Sequence, residues 1–227
     1  MASVTAMQAA PTDIATAELR ISEIFFSIQG ESSKTGLPTV FIRLTGCPLR
    51  CHYCDTAYAF HGGHKLTLAA VLDQVRSWNT AHVTVTGGEP LAQKNCLPLL
   101  TALCNAGYAV SLETSGAIDT RAVDARVMKI LDLKTPGSGE VDRNFYPNLA
   151  ALTPQDQIKF VICDRADYDW ACKQLNEHDL LQHQVLFSPS HDQLPALILA
   201  EWILADQLPV RLQVQLHKYL WGDQAGH

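Results

Sequence analysis

The sequence has no apolar run long enough to cross a bilayer and no cluster of lysine and arginine. Its most hydrophobic stretch, residues 194–205, is broken by Pro195 and Glu201 and is too short to span a membrane. With 17 basic against 23 acidic residues, the formal charge of −6 argues against a general nucleic-acid surface. The N-terminus has neither a basic start nor an apolar core. We therefore expect a cytoplasmic protein that binds neither membrane nor nucleic acid directly.

The sequence also lacks internal repeats and any stretch that resembles an interdomain linker. Residues 1–17 are rich in alanine and threonine and have no periodicity, so they are predicted to be a disordered lead-in. Residues 18–227 are predicted to form one α/β domain, which is the natural size for a chain of this length.

Disulfides are not expected, because the cysteine count of seven is odd and no export signal is present. Four of the cysteines lie in or beside apolar segments without a partner at metal-ligand spacing. We interpret these four as core residues: Cys96, Cys104, Cys163 and Cys172.

The other three cysteines, Cys47, Cys51 and Cys54, are separated by three and two residues. One loop with this spacing can wrap a cubane iron–sulfur cluster. A four-iron cluster normally takes four thiolates, so three leave one iron free to bind a ligand that is not protein. The sequence therefore predicts a catalyst rather than an electron carrier.

Zinc is the main alternative for these three cysteines. Tetrahedral structural zinc sites usually use a second Cys or His pair, and His61 and His64 could supply one. We rank zinc below the cluster, because the Gly-Gly-Glu segment at residues 87–89 has no place in a zinc site.

From residue 21 short β-branched runs alternate with longer amphipathic ones, which is typical of a parallel sheet covered by helices. The predicted strands span residues 39–44, 82–86, 108–113, 127–133, 157–163, 184–187 and 210–217. The predicted helices span residues 91–106, 166–177 and 193–205, with another that begins after Thr67 as its cap.

Polar segments follow almost every predicted strand. In barrel-like parallel sheets the site lies at the C-terminal edges of the strands. Each segment taken singly reads best as an ordinary turn or helix cap, but six in succession at one edge predict an active site. The six are the cysteine loop and residues 86–90, 113–116, 132–134, 188–191 and 213–218.

Two predicted strands have one polar face, because side chains alternate with a period of two. In the first strand Arg43 faces away from the apolar residues beside it. A buried guanidinium without a partner costs several kcal/mol, so Arg43 should meet a protein carboxylate or an anionic ligand. In the last strand Gln213, Gln215 and His217 share a face that either lines a pocket or faces solvent.

The cysteine triad with Tyr53 before its last cysteine, followed by Gly87-Gly88-Glu89-Pro90, resembles the radical S-adenosylmethionine (SAM) enzymes. The resemblance implies a partial (βα)6-type barrel with mostly parallel strands. It also implies a [4Fe-4S] cluster whose fourth iron is chelated by SAM, and a 5′-deoxyadenosyl radical formed after one-electron reduction. The resemblance assigns to SAM the residues Tyr53, Gly88, Glu89, Asp132, Leu133, Lys134, Ser188, Pro189, Ser190 and His191.

Within that superfamily, residues 23–31 and 36–44 resemble the 7-carboxy-7-deazaguanine synthases, as do residues 54–56 and 215–218. This resemblance implies ring contraction of 6-carboxy-5,6,7,8-tetrahydropterin, with loss of ammonia, on the route to queuosine and related 7-deazapurines. It also implies Mg²⁺, an external one-electron donor such as flavodoxin, and a homodimer. It assigns Thr56 to Mg²⁺ and gives to the substrate Ile28, Gln29, Gly30, Arg43, Thr86 and His217.

Two features depart from the family pattern or are shared with others. Ser32 stands where the family commonly has glycine, and serine adopts fewer backbone conformations. The Asp132-Leu133-Lys134 segment also occurs in glycyl-radical activating enzymes, which act on a partner protein and are the first alternative function. The second is a non-catalytic iron–sulfur electron-relay protein, which predicts a fourth cysteine ligand. No catalytic side chain is assigned beyond the radical derived from the cofactor.

Overall fold

The strands of this computed structural model, which describes residues 13–222, 224 and 226, form one curled sheet. Their bounds are β1 Glu18–Ile28, β2 Pro38–Leu44, β3 His64–Thr67, β4 His82–Gly87, β5 Ala109–Thr114, β6 Met128–Asp132, β7 Gln157–Ile162, β8 Gln184–Pro189 and β9 Arg211–Leu212. The strand order is β3-β1-β2-β4-β5-β6-β7-β8-β9. Neighbours from β2 to β9 run parallel, and β1 is antiparallel to both β2 and β3. The predicted partial barrel of mostly parallel strands is confirmed.

The helices α1 Leu68–Val75, α2 Cys96–Asn105, α3 Arg165–Glu177 and α4 Ala196–Ala205 pack on the outer face of this sheet. The helix α5 Leu216–Trp221 lies instead against the end of β1, where the Leu216 amide donates to the Gly30 carbonyl. Thr67 caps α1 as predicted, because its Oγ1 accepts from the Ala70 amide at 3.2 Å. One apolar cluster lies between α1, α2 and the strands β1, β2, β4 and β5. A second lies between α3, α4 and the strands β6 to β8. The opposite face of the sheet is thereby left to line the barrel interior.

The sequence analysis did not predict two of the strands, β1 and β3. The pairing of β1 with β2 shifts register between Ile21 and Glu23. A bulge of this kind breaks the period-two alternation on which strand prediction depends. Residues 13–17 form a turn whose carbonyls at Ile14 and Ala17 accept from the start of α1, while the rest of the predicted disordered lead-in, residues 1–12, lies outside the described residues.

The last predicted strand, residues 210–217, is wrong beyond Leu212. The ladder with β8 covers only Arg211 and Leu212, and the chain then turns into α5. The alternating apolar residues that suggested a strand have no sheet to cover, since Leu212 and Val214 are 36% and 42% exposed. No helix in the described part of the chain is long and apolar enough to cross a membrane.

Candidate active site

The interior face of the barrel is polar. Arg43 of β2 lies directly beside Thr86 of β4 in the parallel register. Thr86 Oγ1 donates to Glu113 Oε2 of β5 at 3.0 Å. Two residues earlier on the same strands, Thr84 Oγ1 lies 2.8 Å from Ser111 Oγ. These side chains point away from the helices, because the alternate residues of the same strands fill the apolar clusters. The interior is therefore suited to a hydrophilic ligand.

Three ion pairs lie on this side of the sheet. Arg43 Nε lies 2.7 Å from Glu23 Oε1, and Lys134 Nζ lies 3.0 Å from Asp132 Oδ2. The third pair joins Lys159 to Glu31, which are 128 residues apart in the sequence. Arg43 thus meets the protein carboxylate that was one of its two expected anions, and all three pairs keep some solvent exposure.

Glu113 is the interior carboxylate that faces a hydroxyl rather than a cation. Burial, followed by the nearby charge of Glu31, raises the pKa of Glu113, while Lys159, the Thr86 hydroxyl and Arg43 oppose the rise. A carboxyl group in this setting can accept a hydrogen bond or exchange a proton with a polar ligand.

The cysteine loop is bonded to the turn that follows it and to the segment after β4. The Gly46 amide donates to the Ala59 carbonyl at 2.8 Å, and the Glu89 amide donates to the Gly46 carbonyl at 2.8 Å. A Cβ atom at Gly88 would lie 2.7 Å from Cys47 Cβ and closer still to Gly46 O. The Gly-Gly-Glu segment therefore packs directly on the loop that carries the thiols. This close contact is possible only because Gly88 has no side chain.

The three thiols of this loop share one electrostatic environment. Burial raises the pKa of Cys51 to about 11, and the ammonium of Lys134 opposes that rise. Burial likewise raises the pKa of Cys47 and Cys54. Iron binds thiolates, so binding of the cluster would release protons here. Within residues 13–222, 224 and 226, no three His, Cys, Asp or Glu side chains are placed so that they could hold a metal ion.

The rim predicted to hold SAM contains buried polar atoms that have no hydrogen-bond partner in the described part of the chain. They are Tyr53 Oη, Asp132 Oδ1 and Ser188 Oγ. Lys134 Nζ lies 5.7 Å from the centroid of the Tyr53 ring. Buried polar groups are nearly always hydrogen-bonded, so these atoms fit a site that takes a polar ligand. The donor chemistry of this region, three thiols on one loop with unpartnered polar atoms beside it, suits an iron–sulfur cluster with SAM, although among the described residues the thiols do not surround a single metal ion.

Glu89 lies at this rim, but its carboxylate is occupied by the protein. It is fully buried and accepts from Thr114 Oγ1 at 2.9 Å, from the Ser115 amide at 2.7 Å and from the Leu91 amide at 3.0 Å. Its side chain thus ties the end of β4 to the end of β5.

The remaining residues predicted to contact SAM divide between interior and exterior. Ser190 is buried, and its amide donates to the Ile162 carbonyl at 2.8 Å, directly after Pro189 ends β8. Leu133 is fully buried in the second apolar cluster. His191 is exposed and pairs with Asp192 at 2.9 Å, so the structure does not bring it to the interior.

Four of the residues predicted to contact the substrate, Ile28, Gln29, Gly30 and His217, lie where the end of β1 meets the start of α5. Gln29 follows Ile28 at the end of β1 and donates from Nε2 to Thr84 Oγ1 at 2.9 Å. A Cβ atom at Gly30 would lie 3.1 Å from His217 Cγ, and the Leu216 amide donates to the Gly30 carbonyl at 3.1 Å. Burial lowers the pKa of His217 despite the carboxylates of Glu31 and Asp55 nearby.

Thr56, the predicted Mg²⁺ residue, lies beside a carboxylate. Its Oγ1 donates to Asp55 Oδ1 at 2.6 Å, and Gln215 Nε2 donates to Asp55 Oδ2 at 3.2 Å. Burial would raise the pKa of Asp55, but the Thr56 hydroxyl and the charges of Lys159 and Lys218 lower it overall. This set of oxygen atoms is the kind of donor that Mg²⁺ prefers.

Sequence reasoning missed the interior side chains of Glu23, Glu31 and Lys159, and it gave Glu113 no role beyond its place in the polar segment 113–116. The signal that found Arg43 also applied to Lys159, a charge on the opposite face from Ile158 and Phe160. The four cysteines outside the loop lie in the core or against it, as predicted. Cys96 belongs to the first apolar cluster, Cys104 and Cys172 pack against the two clusters, and Cys163 is buried directly after β7.

Comparison with known proteins defines the class. The sequence model of the Radical SAM superfamily matches residues 41–178, which include the cysteine loop and the strands from β4 to β7. The crystal structure of QueE from Escherichia coli superposes with a TM-score of 0.72 at 24% identity, covering 90% of this chain and 96% of that one. The fold is that of a radical SAM enzyme, and the chain belongs to the Radical SAM superfamily.

Comparison with curated sequences narrows the class further. The 7-carboxy-7-deazaguanine synthase of Chlorobaculum tepidum is 45% identical over 213 residues, which are 92% of this chain and 97% of that protein. The synthase of Koribacter versatilis is 43% identical over 219 residues, with 89% and 97% covered. This chain belongs to the 7-carboxy-7-deazaguanine synthase family.

Proposed function

We propose that this protein converts 6-carboxy-5,6,7,8-tetrahydropterin to 7-carboxy-7-deazaguanine by ring contraction with loss of ammonia. The observation that carries this proposal is the 45% identity to a 7-carboxy-7-deazaguanine synthase over nearly the full length of both chains. A polar barrel interior beside the cysteine loop is the second support, because the substrate is a small, hydrophilic, carboxylated ring system.

The cluster and SAM, when bound, supply radical chemistry that begins by removing a hydrogen atom from the substrate. The residues of the chain bind and orient the substrate. Arg43 offers planar, paired N–H donors that suit the substrate carboxylate. Thr86, Glu113 and Gln29 line the same interior and can bond the polar edge of the pterin. His217 closes the barrel over Gly30 and is suited to a hydrogen bond rather than a charge, since burial favours its neutral form.

For the cofactors we propose specific holders. Cys47, Cys51 and Cys54 would bind the cluster. The buried polar atoms of Tyr53 and Ser188 support SAM contacts at the rim, as does the Asp132 carboxylate. Thr56, with the Asp55 carboxylate 2.6 Å from its hydroxyl, would bind Mg²⁺ together with oxygen atoms of the substrate.

The remaining assignments concern partners and location. Arg50 lies exposed within the cysteine loop, which supports an acidic one-electron donor such as flavodoxin. A homodimer is supported by exposed apolar side chains near the C-terminus, including Tyr219 at 86% and Leu220 at 48%. A cytoplasmic location suits an oxygen-sensitive cluster held by thiolates.

The two alternative functions are not favoured. An electron relay would need a fourth cysteine ligand, whereas the relatives of this chain are enzymes, Cys96, Cys104 and Cys172 pack in or against the apolar clusters, and Cys163 is buried. A glycyl-radical activating enzyme must admit a polypeptide to the barrel, and here α5 begins against Gly30 and covers the interior.

The direct test is product formation. We expect the anaerobically reconstituted and reduced enzyme to form 7-carboxy-7-deazaguanine from SAM and 6-carboxy-5,6,7,8-tetrahydropterin, with stimulation by Mg²⁺. Formation of 5′-deoxyadenosine without any 7-carboxy-7-deazaguanine would contradict the substrate assignment and leave the superfamily intact. Failure of SAM to perturb the spectrum of the reduced cluster would contradict the cofactor assignment.

Arg43→Ala should weaken binding of the carboxylated substrate far more than it weakens binding of SAM. A charged hydrogen-bond partner in a partly buried site contributes about 1.5–3 kcal/mol, which corresponds to a rise of at least tenfold in the substrate KM. Steady-state kinetics with each ligand varied would measure both constants. An equal loss of affinity for both would contradict the pairing of Arg43 with the carboxylate.

A further inference from the structure

Glu23 is an interior carboxylate to which the family resemblance assigns no role. It lies directly opposite Arg43 in the antiparallel register of β1 and β2. The two side chains are 22% and 15% exposed, and Arg43 Nε donates to Glu23 Oε1 at 2.7 Å. Among the described residues Arg43 has no other hydrogen bond, so its terminal Nη atoms remain available to a ligand.

The Glu23 carboxylate is itself held in place. Tyr58 Oη donates to the same Oε1 atom at 2.7 Å, so one oxygen receives both donors. The Arg43 guanidinium lies 5.8 Å from the ring centroids of both Phe25 and Tyr58, and Phe25 stacks on Phe41 at 5.0 Å. These rings restrict the plane of the guanidinium through cation–π contacts.

A guanidinium can bind a carboxylate through two edges, one formed by Nε with a terminal nitrogen and one formed by the two terminal nitrogens. With Nε bonded to Glu23, only the second edge remains for a bidentate carboxylate. Resting on the function proposed above, we propose that Glu23 is a positioning residue that selects this edge of Arg43 and thereby fixes where the substrate carboxylate binds. Tyr58 acts behind it by fixing Glu23.

The length and the charge of the side chain at position 23 can be changed separately. Glu23→Gln keeps an oxygen that can accept from Arg43 Nε, whereas Glu23→Asp keeps the charge but shortens the side chain by one methylene. We therefore expect Glu23→Gln to retain carboxylate binding and Glu23→Asp and Glu23→Ala to lose it. If Glu23 served only to neutralise Arg43, Glu23→Asp would bind 6-carboxypterin like the parent, and Glu23→Gln and Glu23→Ala would both bind it more tightly.

The test measures ligand binding to the reconstituted, unreduced enzyme with SAM, where no turnover occurs. The probes are 6-carboxypterin and 6-methylpterin, which differ at the carboxylate. We expect Glu23→Ala and Glu23→Asp to raise the Kd of 6-carboxypterin about tenfold, the effect of losing one charged hydrogen-bond arrangement, and to leave that of 6-methylpterin unchanged. Tyr58→Phe should raise the first Kd about twofold to threefold by the same reasoning.

The matched control is Glu18→Asp on the same strand. Glu18 pairs with Lys65 across β3 at 3.0 Å, but both side chains are largely exposed, so this variant should bind both probes like the parent. Equal loss of both probes in Glu23→Asp, or tighter binding of 6-carboxypterin in Glu23→Ala, would overturn the proposal.

Arg43→Ala separates this proposal from the function on which it rests. If Arg43→Ala loses the preference for 6-carboxypterin and Glu23→Asp does not, only the role of Glu23 is refuted. If the parent enzyme itself binds 6-carboxypterin no better than 6-methylpterin, the proposed substrate site fails instead. A kinetic readout completes the comparison, since a positioning role predicts that Glu23→Asp raises KM for the substrate while KM for SAM stays unchanged.

Discussion

The backbone conformation of Ser32 is a constraint that the sequence alone does not show. Ser32 has a φ of 70°, in the left-handed region that glycine occupies without strain. Its Oγ accepts from the Lys34 amide at 3.1 Å, and its carbonyl accepts from Thr35 Oγ1 at 2.8 Å. These two hydrogen bonds, one through the short polar side chain, support the left-handed conformation at a position where the family resemblance predicts glycine.

Substitution at Ser32 should separate side-chain types by their tolerance of this conformation. Ser32→Val should lower the free energy of unfolding by about 2 kcal/mol, since a β-branched residue is strained at positive φ. Ser32→Gly should stay within about 1 kcal/mol of the parent, because relief of strain offsets the greater entropy of the unfolded chain. Urea unfolding would measure both. Ser33→Val is the neighbouring control, and equal stability of the two valine variants would contradict the argument.

At the scale of elements, the site depends on contacts between the ends of adjacent strands. The cysteine loop after β2 and the Gly-Gly-Glu segment after β4 are joined by the hydrogen bond from the Glu89 amide to the Gly46 carbonyl. The Glu89 carboxylate extends the connection to β5 through Thr114 and Ser115. Three consecutive strand ends are therefore one mechanical unit, although each is a separate segment of the sequence.

Gly88→Ala should disrupt this unit. The added methyl would overlap Gly46 O and lie 2.7 Å from Cys47 Cβ, so the cysteine loop must move. We expect the variant to fold but to bind less than half the iron of the parent after reconstitution, as measured by iron and sulfide analysis. Gly36→Ala is the control, because its Cβ would meet no neighbouring atom, although its φ of 90° adds a backbone strain that Gly88→Ala does not have. Full iron content in Gly88→Ala would contradict this account.

At the scale of the whole molecule, the first and last parts of the sheet are brought together by α5. The Leu216 amide bonds to Gly30, and Gln215 bonds to Asp55, a separation of 160 residues in the second case. His217 is enclosed by this contact, and burial lowers its pKa. Closure of the barrel mouth and the charge state of His217 are consequently linked.

This linkage predicts a pH dependence of stability. A histidine whose folded-state pKa is depressed contributes fully above its unfolded pKa of about 6.5, and that contribution is lost as the pH falls. The free energy of unfolding should therefore decrease between pH 7.5 and pH 5.5, and His217→Gln should decrease less over the same interval. Urea unfolding at the two pH values would measure the difference. Identical losses in parent and variant would show that His217 does not carry the effect.

Much of the fold and part of the site could be predicted from sequence, because the responsible patterns are local. Strands from β2 to β8, apart from β3, follow from short apolar runs, and the cysteine loop follows from the spacing of Cys47, Cys51 and Cys54. The alternation in β2 was enough to predict that Arg43 needs an anion. The β1 strand was hidden by its bulge, and β9 was overextended because alternation alone does not show whether a neighbour is present.

The sequence by itself determined the class of chemistry, since a three-cysteine loop and a glycine-rich strand end are short motifs whose meaning does not depend on distant residues. Only the tertiary structure decided that Arg43 pairs with Glu23, that Glu31 pairs with Lys159 and that α5 closes over Gly30. These contacts depend on strand register and on segments up to 187 residues apart, counted from 30 to 217. Period-two alternation shows that a side chain faces inward, but its partner is set by the order and curvature of the sheet.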